Sequence, residues 1–513
     1  MKKNLAKKVT LSILAGAVLM SSSVVWAADN PDIAGWNKDD TNQRYVWNDA
    51  SNGEVNGNGH NFTYEFYGAY DSSNTGVSGG KVAISSGTFK DSAFIYGGYA
   101  YGAATDNTVN ITDGSFESGI YGGYSEEDTA NKNTVNIEDG TFKGDYKIYG
   151  GYAYDGVATE NMVNIEDGTF NGNIYGGMGY SGASENTVNI EDGTFNGYIY
   201  GGKGYGAATQ NTVTISGGTF EDSAVIYGGY SEDGAASLNE IVISEVDVGS
   251  TFGTIFGGYA SGNANKNKVT LKAENAVYYG EGIVGGYSSV AATENTVDIT
   301  NGTFNVDIYG GKGYGAATDN TVNITDGTFN RFIYGGYAYG AAIENTVNIT
   351  LGDFESEIYG GYSSVTAEGN EVNITDGTFN GWIYGGRTGV SDNNNDTSEA
   401  INNSVTISNG NFSGNIYGGY SDKGDATQNS VVISGGTFKP GSNSFIYGGR
   451  ADKDATGNSV TISGGTFGEK NASNQKSIVY IAGGYSYDND SESNNNTVSI
   501  SGDANLAYAK LYG

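Results

Sequence analysis

The sequence contains no cysteine, a single histidine at position 60, two prolines and, beyond residue 27, five leucines. The absence of cysteine excludes disulfides and thiolate metal sites. One histidine cannot supply the paired imidazoles of a common zinc site, so we interpret His60 as a structural residue rather than a catalytic base. Scarce leucine beside abundant valine, isoleucine, threonine and tyrosine is typical of strands.

Positive charge is also scarce, with 25 lysines and arginines against 58 aspartates and glutamates and a net charge of −33. A surface of this sign repels the phosphates of nucleic acids and anionic membranes. We therefore predict no nucleic-acid partner. Glycine is abundant, at 84 residues, but aromatic residues make up 12% of the chain in a regular register, which distinguishes it from a disordered polar tract.

Residues 1–27 are predicted to be a signal peptide. A basic start with Lys2, Lys3, Lys7 and Lys8 precedes an apolar run, and Ala27 follows Val25 and Trp26 at a suitable cleavage position. The apolar run is shorter than a bilayer requires, and no later stretch is apolar enough to span. We expect an exported protein, located at the cell surface, associated with the outer membrane, or extracellular, whose mature chain carries a net charge of −37.

One unit of about 25 residues repeats through most of the chain, and it is clearest from residue 295 to residue 336. Each copy contains a motif that resembles Ile-Tyr-Gly-Gly, which we call the IYGG motif. Fifteen copies are recognisable, and a degenerate sixteenth begins at Phe66. The fifteen begin at Ile95, Ile120, Ile148, Ile174, Ile199, Ile226, Ile255, Ile283, Ile308, Ile333, Ile358, Ile383, Ile416, Ile446 and Ile481. Spacing this regular predicts a stacked structural unit.

The pattern inside one copy predicts the fold. Val322 and Ile324 alternate with Thr321 and Asn323, which indicates a strand with one buried face. A turn at residues 326–327 separates this strand from the Thr-Phe pair, and the IYGG motif and a Gly/Ala-rich return follow. Two clear strands and a short third in about 25 residues predict an all-β right-handed parallel β-helix, or β-solenoid, of about 15–16 coils. Antiparallel hairpins are the structural rival, but they would not place like residues on like.

Stacking of identical units predicts columns of identical side chains. We predict a phenylalanine column inside the solenoid and an asparagine ladder at a corner, where asparagine tolerates left-handed backbone and stacked amides bond to one another. The predicted ladder residues are Asn295, Asn320, Asn345, Asn370, Phe304, Phe329, Phe354 and Phe379. We interpret these residues as architecture and not as ligand contacts.

The repeats divide the chain into segments. Residues 28–80, which hold Trp36, Trp47 and His60, form a predicted N-terminal cap that covers the first strands. Residues 81–502 form the predicted β-helix, and residues 503–513 form the C-terminal end. The segments 389–400 and 469–477 are predicted to be loops that leave the solenoid at a corner.

The leader, the repeated pattern NTVNIxDGTFNGxIYGGY and the acidic surface together resemble the passenger region of bacterial autotransporters, especially adhesin-like ones. The resemblance implies export, display or release at the cell surface, and adhesion to host or bacterial surface glycans or proteins. The sequence departs from that family at its end, where no series of amphipathic membrane strands follows the last coil. An outer-membrane barrel is an expected partner only if the native gene continues beyond residue 513.

Columns of tyrosine are the candidate binding residues. A second set, including Tyr99, Tyr124, Tyr152 and Tyr230, follows the motif. Outward-facing rings with hydroxyl tips would contact sugars or proteins, whereas inward-facing rings would fill the core. The motif tyrosines predicted as possible ligand contacts are Tyr96, Tyr121, Tyr149, Tyr175, Tyr200, Tyr227, Tyr309, Tyr334, Tyr359 and Tyr384.

Other functions are open alternatives. A carbohydrate-active β-helix enzyme would need acids that converge in a cleft, whereas here the pairs 138–139, 166–167 and 191–192 recur at turns, as solvated corners do. We predict no catalytic residue and no cofactor. Calcium is the alternative ligand, at the oxygen-rich segments 392–399 and 488–492, although both lack the glycine of an EF-hand loop. An ice-binding threonine array is disfavoured because the neighbouring outward position varies, and a purely structural stalk is the third alternative.

Overall fold

The computed structural model describes residues 30–47, 53–221, 224–389, 398–440, 443–470, 476–488 and 491–512. In this part of the chain all regular structure is β, and it forms a parallel β-solenoid of about 16 turns, with successive coils roughly 27 residues apart. Within the same residues, no helix with the length and hydropathy of a membrane span is present. The predicted signal peptide at residues 1–27 lies outside the described residues.

Each coil contains four strands, which stack on their equivalents to form four sheets. In the coil that begins at residue 321 they are Thr321–Ile324, Thr328–Phe329, Ile333–Ala338 and Ala341–Ile343. We number the sheets 1 to 4 in that order. The prediction of two strands and a short third was therefore one strand short, because the Gly/Ala-rich return is itself a strand.

Sheet 1 contains the Thr-Val-Asn-Ile strands, and its first two members also extend into sheet 2. Its strands are Gly53–Phe62, Lys81–Phe89, Thr108–Ile111, Thr134–Ile137, Met162–Ile165, Thr187–Ile190, Thr212–Ile215, Glu240–Ile243, Lys268–Leu271, Thr296–Ile299, Thr321–Ile324, Thr346–Ile349, Glu371–Ile374, Ser404–Ile407, Ser430–Ile433, Ser459–Ile462 and Thr497–Ile500.

Sheet 2 contains the two-residue strands that end in an aromatic residue, and its ladder is interrupted between Thr219–Phe220 and Thr251–Phe252. Its strands are Ser115–Phe116, Thr141–Phe142, Thr169–Phe170, Thr194–Phe195, Thr219–Phe220, Thr251–Phe252, Val277–Tyr278, Thr303–Phe304, Thr328–Phe329, Asp353–Phe354, Thr378–Phe379, Asn411–Phe412, Thr437–Phe438 and Thr466–Phe467.

Sheet 3 contains the IYGG motifs. Its strands are Trp36–Asp39, Arg44–Trp47, Glu65–Tyr67, Tyr70–Asp71, Ile95–Ala100, Ile120–Ser125, Ile148–Ala153, Ile174–Gly179, Ile199–Gly204, Ile226–Ser231, Ile255–Ala260, Ile283–Ser288, Ile308–Gly313, Ile333–Ala338, Ile358–Ser363, Ile383–Thr388, Ile416–Ser421, Ser444–Ala451, Val479–Ser486 and Ala509–Tyr512.

Sheet 4 contains the short strands of the return. These are Val77–Ser78, Ala104–Thr105, Ala130–Asn131, Val157–Thr159, Gly182–Ser184, Ala207–Thr209, Ala236–Ser237, Ala264–Asn265, Ala291–Thr293, Ala316–Thr318, Ala341–Ile343, Thr366–Glu368, Glu399–Ile401, Ala426–Thr427, Ala455–Thr456 and Ser493–Asn494.

Like residues pair with like residues along each sheet. In sheet 1, Val322 pairs with Val297 on one side and with Val347 on the other, in parallel register. This register rules out an array of antiparallel hairpins for the repeats. Val322 and Ile324 are buried while Thr321 and Asn323 are half-buried on the outer face, so the predicted inward and outward directions are confirmed.

The hydrophobic core is continuous along the inside of the solenoid and consists of stacked columns of apolar side chains. It is formed by the valine and isoleucine of sheet 1, the phenylalanine of sheet 2 and the motif isoleucine of sheet 3. Phe304, Phe329, Phe354 and Phe379 stack with ring centroids 4.8 Å apart, so the predicted phenylalanine column is confirmed. Each ring buries its faces against two neighbours, which is how a coil too small for its own core gains apolar contact.

The predicted asparagine ladder is present and fully buried. The Nδ2 of Asn345 donates to Oδ1 of Asn370 at 2.9 Å and to the carbonyl of Ala317 at 2.8 Å. The same pattern joins Asn295, Asn320 and Asn345. The left-handed backbone, however, lies one residue earlier than predicted: Glu344 has φ of 55°. This corner residue repeats in the left-handed region, for example at Asp319.

The Gly-Gly pair of the motif makes room for that ladder. A Cβ atom at Gly336 would lie 2.3 Å from Cγ of Asn345, inside the solenoid. A Cβ atom at Gly335 would lie 2.4 Å from the carbonyl oxygen of Gly360 in the next coil. Both contacts are far inside van der Waals distance, so the conformation requires glycine at both positions.

The chain ends extend or modify the stack. Phe66 and Tyr67 pair in register with Ile95 and Tyr96, so the degenerate copy at Phe66 does join sheet 3. Beyond it, Trp36–Asp39 pairs antiparallel with Arg44–Trp47 and lies at the start of the sheet. In the predicted loop 469–477, Glu469–Lys470 and Lys476–Ser477 instead pair as an antiparallel ladder. Of the predicted loop 389–400, residues 390–397 lie outside the described residues, and Glu399–Ile401 is a strand.

Candidate functional site

The motif tyrosines face away from the core but are closed off by one another. They lie on the opposite face of sheet 3 from the motif isoleucines and form separate apolar clusters on the outside of the solenoid. Tyr334 stacks on Tyr309 and Tyr359, with ring centroids 5.0 Å and 4.8 Å away. Neighbouring tyrosines therefore occupy both ring faces, leaving little ring surface for a ligand.

Burial differs little along this first tyrosine column. The side chains of Tyr96, Tyr149, Tyr175, Tyr200, Tyr309, Tyr334, Tyr359 and Tyr384 are buried, and Tyr121 and Tyr227 are half-buried. Burial raises the pKa of these hydroxyls, for Tyr359 to about 12. The column therefore acts as an outer core that stabilises sheet 3.

A second tyrosine column runs beside the first, three residues further along each strand. Tyr337 meets Tyr334 edge to face, with centroids 5.4 Å apart, and stacks on Tyr362 at 5.2 Å. In the register between this strand and the strand of the next coil, Tyr334 and Tyr337 have partners but Gly335 does not. The Gly-Gly pair therefore interrupts the alternation of the strand, and Tyr334 and Tyr337 lie on the same face although they are three residues apart. These second-column rings are half-buried and present their edges to solvent.

Cations replace tyrosine at several positions of the second column. Lys203 lies 4.9 Å from the ring centroid of Tyr230, and Lys312 lies 4.5 Å from that of Tyr309. Arg387 lies 5.2 Å from the ring of Tyr420 and pairs with Asp422 at 3.1 Å. These contacts are cation–π interactions, which are favourable where the site is partly desolvated.

A third column is formed by exposed tyrosines that the sequence analysis did not single out. They follow the motif tyrosine by five residues, at the corner between sheets 3 and 4, and are 39–67% exposed. The column consists of Tyr101, Tyr154, Tyr180, Tyr205, Tyr314, Tyr339 and Tyr487. The signal for it in the sequence is the recurring tyrosine before Gly, Ser or Asp within the Gly/Ala-rich return, as in GKGYG and YAYG.

Two clefts flank the tyrosine columns. One, of about 440 Å³, is lined by Tyr152, Ala153, Tyr154, Asp155, Met178, Tyr180 and Tyr205. The other, on the opposite side of the first column, has a volume of about 770 Å³ and includes the exposed rings of Tyr198 and Tyr279 beside the amides of Asn171, Asn173 and Asn196. Both clefts offer aromatic surface together with polar groups, which is the composition of many ligand sites.

The repeated acids lie at the corner after sheet 1, as predicted, but Glu138, Glu166 and Glu191 also line one open cleft of about 640 Å³ there. Glu138 and Glu166 are exposed at the corner after sheet 1, and the carboxylate of Asp139 accepts a hydrogen bond from the backbone N–H of Gly140. Within the described residues, no group of three or more His, Asp or Glu side chains could hold a metal ion. Most of the predicted calcium segment 392–399, and residues 489 and 490 of the other, lie outside the described part of the chain.

His60 lies on the outermost described strand of sheet 1, and its ring centroid is 6.3 Å from that of Phe62.

Comparison of the chain with protein-family models, with curated proteins and with solved structures gave no match.

Proposed function

We propose that the chain is an exported, non-catalytic repeat protein that displays a binding face along a rod, as the adhesin-like autotransporter passengers that it resembles do. It acts at the cell surface, at the outer membrane or outside the cell. Its partners are glycans or proteins of host or bacterial surfaces. Catalysis by a carbohydrate-active site and a purely structural stalk are the alternatives.

The observation that carries this proposal is the tyrosine face of sheet 3, by which we mean the half-buried second column and the exposed third column, which lie beside the buried first column. Rings with polar tips are favoured at binding surfaces because they combine apolar contact with hydrogen bonding at a low cost in conformational entropy. Tyrosine recurs in most coils at the second-column position, and the exposed tyrosines of the third column occur in seven coils. A ligand that is itself repetitive can therefore make several weak contacts whose combined effect exceeds any one of them.

The corners of the coil support a non-catalytic interpretation. The acids there are spaced by one coil, exposed, and separated from the clefts of the tyrosine face. A glycosidase needs two carboxyl groups held in different environments on either side of one bond. Equivalent acids on successive coils have equivalent environments, which favours solvation over acid–base chemistry.

Binding of the mature chain to arrays of surface glycans and matrix proteins tests the proposal. The informative variant replaces Tyr154, Tyr180, Tyr205, Tyr314 and Tyr339 by alanine, and we expect it to lose most of the binding. A matched control replaces Glu138, Glu166 and Glu191 by glutamine on a different side of the coil and should bind as the parent does. Release of reducing or unsaturated sugar ends from polysaccharides would overturn the proposal in favour of an enzyme, and a chain inert in both assays would favour the stalk.

A further inference from the structure

The second tyrosine column shows a rule with one exception. In every coil where the position is not tyrosine it is occupied by Lys203, Lys312, Arg387 or Arg450, except at Met178. Each of the four cations contacts at least one tyrosine ring, at centroid distances from 4.5 to 6.0 Å. Four coils therefore hold a cation against the tyrosine rings, and Met178 occupies the equivalent position without supplying a charge.

The 440 Å³ cleft lies at that exceptional position. Met178 and Tyr152 line it from the second column, and the exposed rings of Tyr154, Tyr180 and Tyr205 line it from the third. Tyr180 and Tyr205 lie 4.9 Å apart with their rings tilted by 32°. Four tyrosines from three successive coils thus surround one cleft, and a thioether, which is polarizable and apolar, completes the lining.

The lining of the cleft contains one charged side chain, the carboxylate of Asp155. Asp155 lines it and forms no ion pair within the described residues. Burial is the main cause of the raised pKa of the Tyr152 hydroxyl, and Tyr154, Glu126, Tyr205 and Asp155 raise it further. Four tyrosines and the carboxylate of Asp155 therefore line one cleft, on a chain whose net charge is −33.

We propose that this cleft binds a small quaternary ammonium ion of the choline type. Tyrosine cages lower the free energy of such an ion because its charge is spread over methyl groups that contact ring faces and need little hydration. A primary ammonium is more strongly hydrated, and an anionic ligand would meet Asp155. The inference rests on the proposed function, since it specifies the ligand chemistry of one site on the tyrosine face.

Titration calorimetry of the mature chain with choline chloride tests the proposal, with tetramethylammonium as a second probe and glucose and n-butylamine as comparison ligands. We expect saturable binding of both quaternary ions and weaker or no binding of butylamine and glucose. Replacing sodium chloride by an equal concentration of choline at high ionic strength separates cage binding from general attraction to an acidic rod, because the latter is screened.

Variants locate the site. Tyr180→Ala should weaken choline binding about tenfold, and Asp155→Asn about threefold. Met178→Lys should abolish binding, because the lysine would occupy the position as Lys203 does one coil later. The control is Glu191→Gln, which changes an exposed acid at the corner after sheet 1, on a different side of the coil from the cleft. This control should bind as the parent does.

Phosphatidylcholine vesicles distinguish a membrane headgroup from a free ligand, and loss of vesicle binding in Tyr180→Ala would also support the cleft as the binding site.

Equal choline affinities of the parent, Tyr180→Ala and Met178→Lys would overturn the inference. So would preferential binding of glucose that these variants remove. If the parent binds the glycan or matrix arrays but not choline, the proposed function stands and the ammonium site is wrong. If it binds choline but nothing on the arrays, the site stands and the broader proposal fails.

Discussion

Tyr278 is a single polar departure inside the phenylalanine column. Its ring stacks between Phe252 and Phe304, with centroids 5.3 Å and 4.7 Å away, and its buried hydroxyl has no hydrogen-bond partner among the described residues. Removing an unpaired buried hydroxyl recovers its desolvation cost, so Tyr278→Phe should raise the free energy of unfolding by about 1–2 kcal/mol. Urea unfolding followed by near-ultraviolet circular dichroism measures the change.

Tyr45→Phe is the control for that prediction. Tyr45 is also fully buried, but its hydroxyl donates to the carbonyl of Pro31 at 2.7 Å. The substitution should lower stability by about 1 kcal/mol, because it leaves a carbonyl without its donor. Effects of the same sign at Tyr278 and Tyr45 would contradict the interpretation.

The inner asparagine ladder should be far more sensitive to substitution than the outer one. Asn345→Ala would remove donors to Asn370 and to Ala317, and would deprive Asn320 of its acceptor, all in the buried interior. Several buried groups would then lack partners, and we expect a loss of about 3 kcal/mol or more. Thermal unfolding and hydrogen exchange around residues 317–370 measure it.

Asn348→Ala is the matched control, three residues away. Its Nδ2 donates to Asn323 at 2.9 Å in a second ladder on the outer face of sheet 1, where water can replace the amide. We expect a loss of less than about 1 kcal/mol. A cost at Asn348 equal to that at Asn345 would mean that the stacking of amides, and not their burial, governs the stability of the ladder.

The sequence was sufficient to predict both the asparagine ladder and the phenylalanine column, because identical spacing forces identical stacking. It was not sufficient to place the left-handed residue. Asparagine is the residue type that best tolerates that backbone, yet here its amide must point inward to reach Ala317 and Asn370. The turn therefore falls on Glu344, and the need for buried hydrogen bonds overrides the intrinsic preference of the residue.

At the scale of the element, the Gly-Gly pair is the most restrictive part of the motif. In Gly336→Ala the new methyl group would overlap the Asn345 side chain, which cannot move without breaking its ladder. We expect a loss of about 3 kcal/mol or more, with local opening of the coil. Hydrogen-exchange mass spectrometry should show lost protection in residues 333–349 before the rest of the rod unfolds.

Glu344→Gly is the control for Gly336→Ala, since it changes the glycine content of the same coil without adding an atom. Glycine adopts the φ of 55° without strain but loses more backbone entropy on folding, so the two effects offset each other within about 1 kcal/mol. Protection at residues 333–349 should remain. Equal loss of protection in both variants would show that the coil is sensitive to any change and not to the added methyl group.

The orientation of the tyrosines could not be predicted from the sequence, because the Gly-Gly pair interrupts the alternation of the strand. Strict alternation would place Tyr334 and Tyr337 on opposite faces of the strand, one in and one out. The unpaired Gly335 shifts the alternation, so both rings lie outside and meet edge to face. The exposed third column escaped prediction because it lies at the corner before sheet 4, and the strands of sheet 4, only two or three residues long, have no periodicity of their own.

At the scale of the whole molecule, the stacked tyrosines link stability to alkaline pH. Burial raises the pKa of Tyr287, Tyr359 and Tyr417 to about 12, above the ordinary value of 10. The folded chain therefore holds these protons more tightly than the unfolded chain does. The corresponding stability is fully present below pH 10 and is lost as pH rises from 10 through 12, where the unfolded chain ionises first.

We therefore expect the rod to unfold cooperatively between pH 10 and 12, with tyrosinate absorbance and loss of far-ultraviolet circular dichroism changing together. In urea the tyrosines should titrate near 10, because unfolding removes the cause of the shift. Repulsion among the many carboxylates would also weaken the fold at high pH, but salt screens it, whereas salt has little effect on the ionisation of a buried ring. If the transition disappears at high salt, net charge and not the buried tyrosines causes the unfolding.

Tyr359→Phe removes one buried hydroxyl and keeps the ring stack, so it should raise the midpoint pH of unfolding. An unchanged or lower midpoint would contradict the assignment to buried tyrosines.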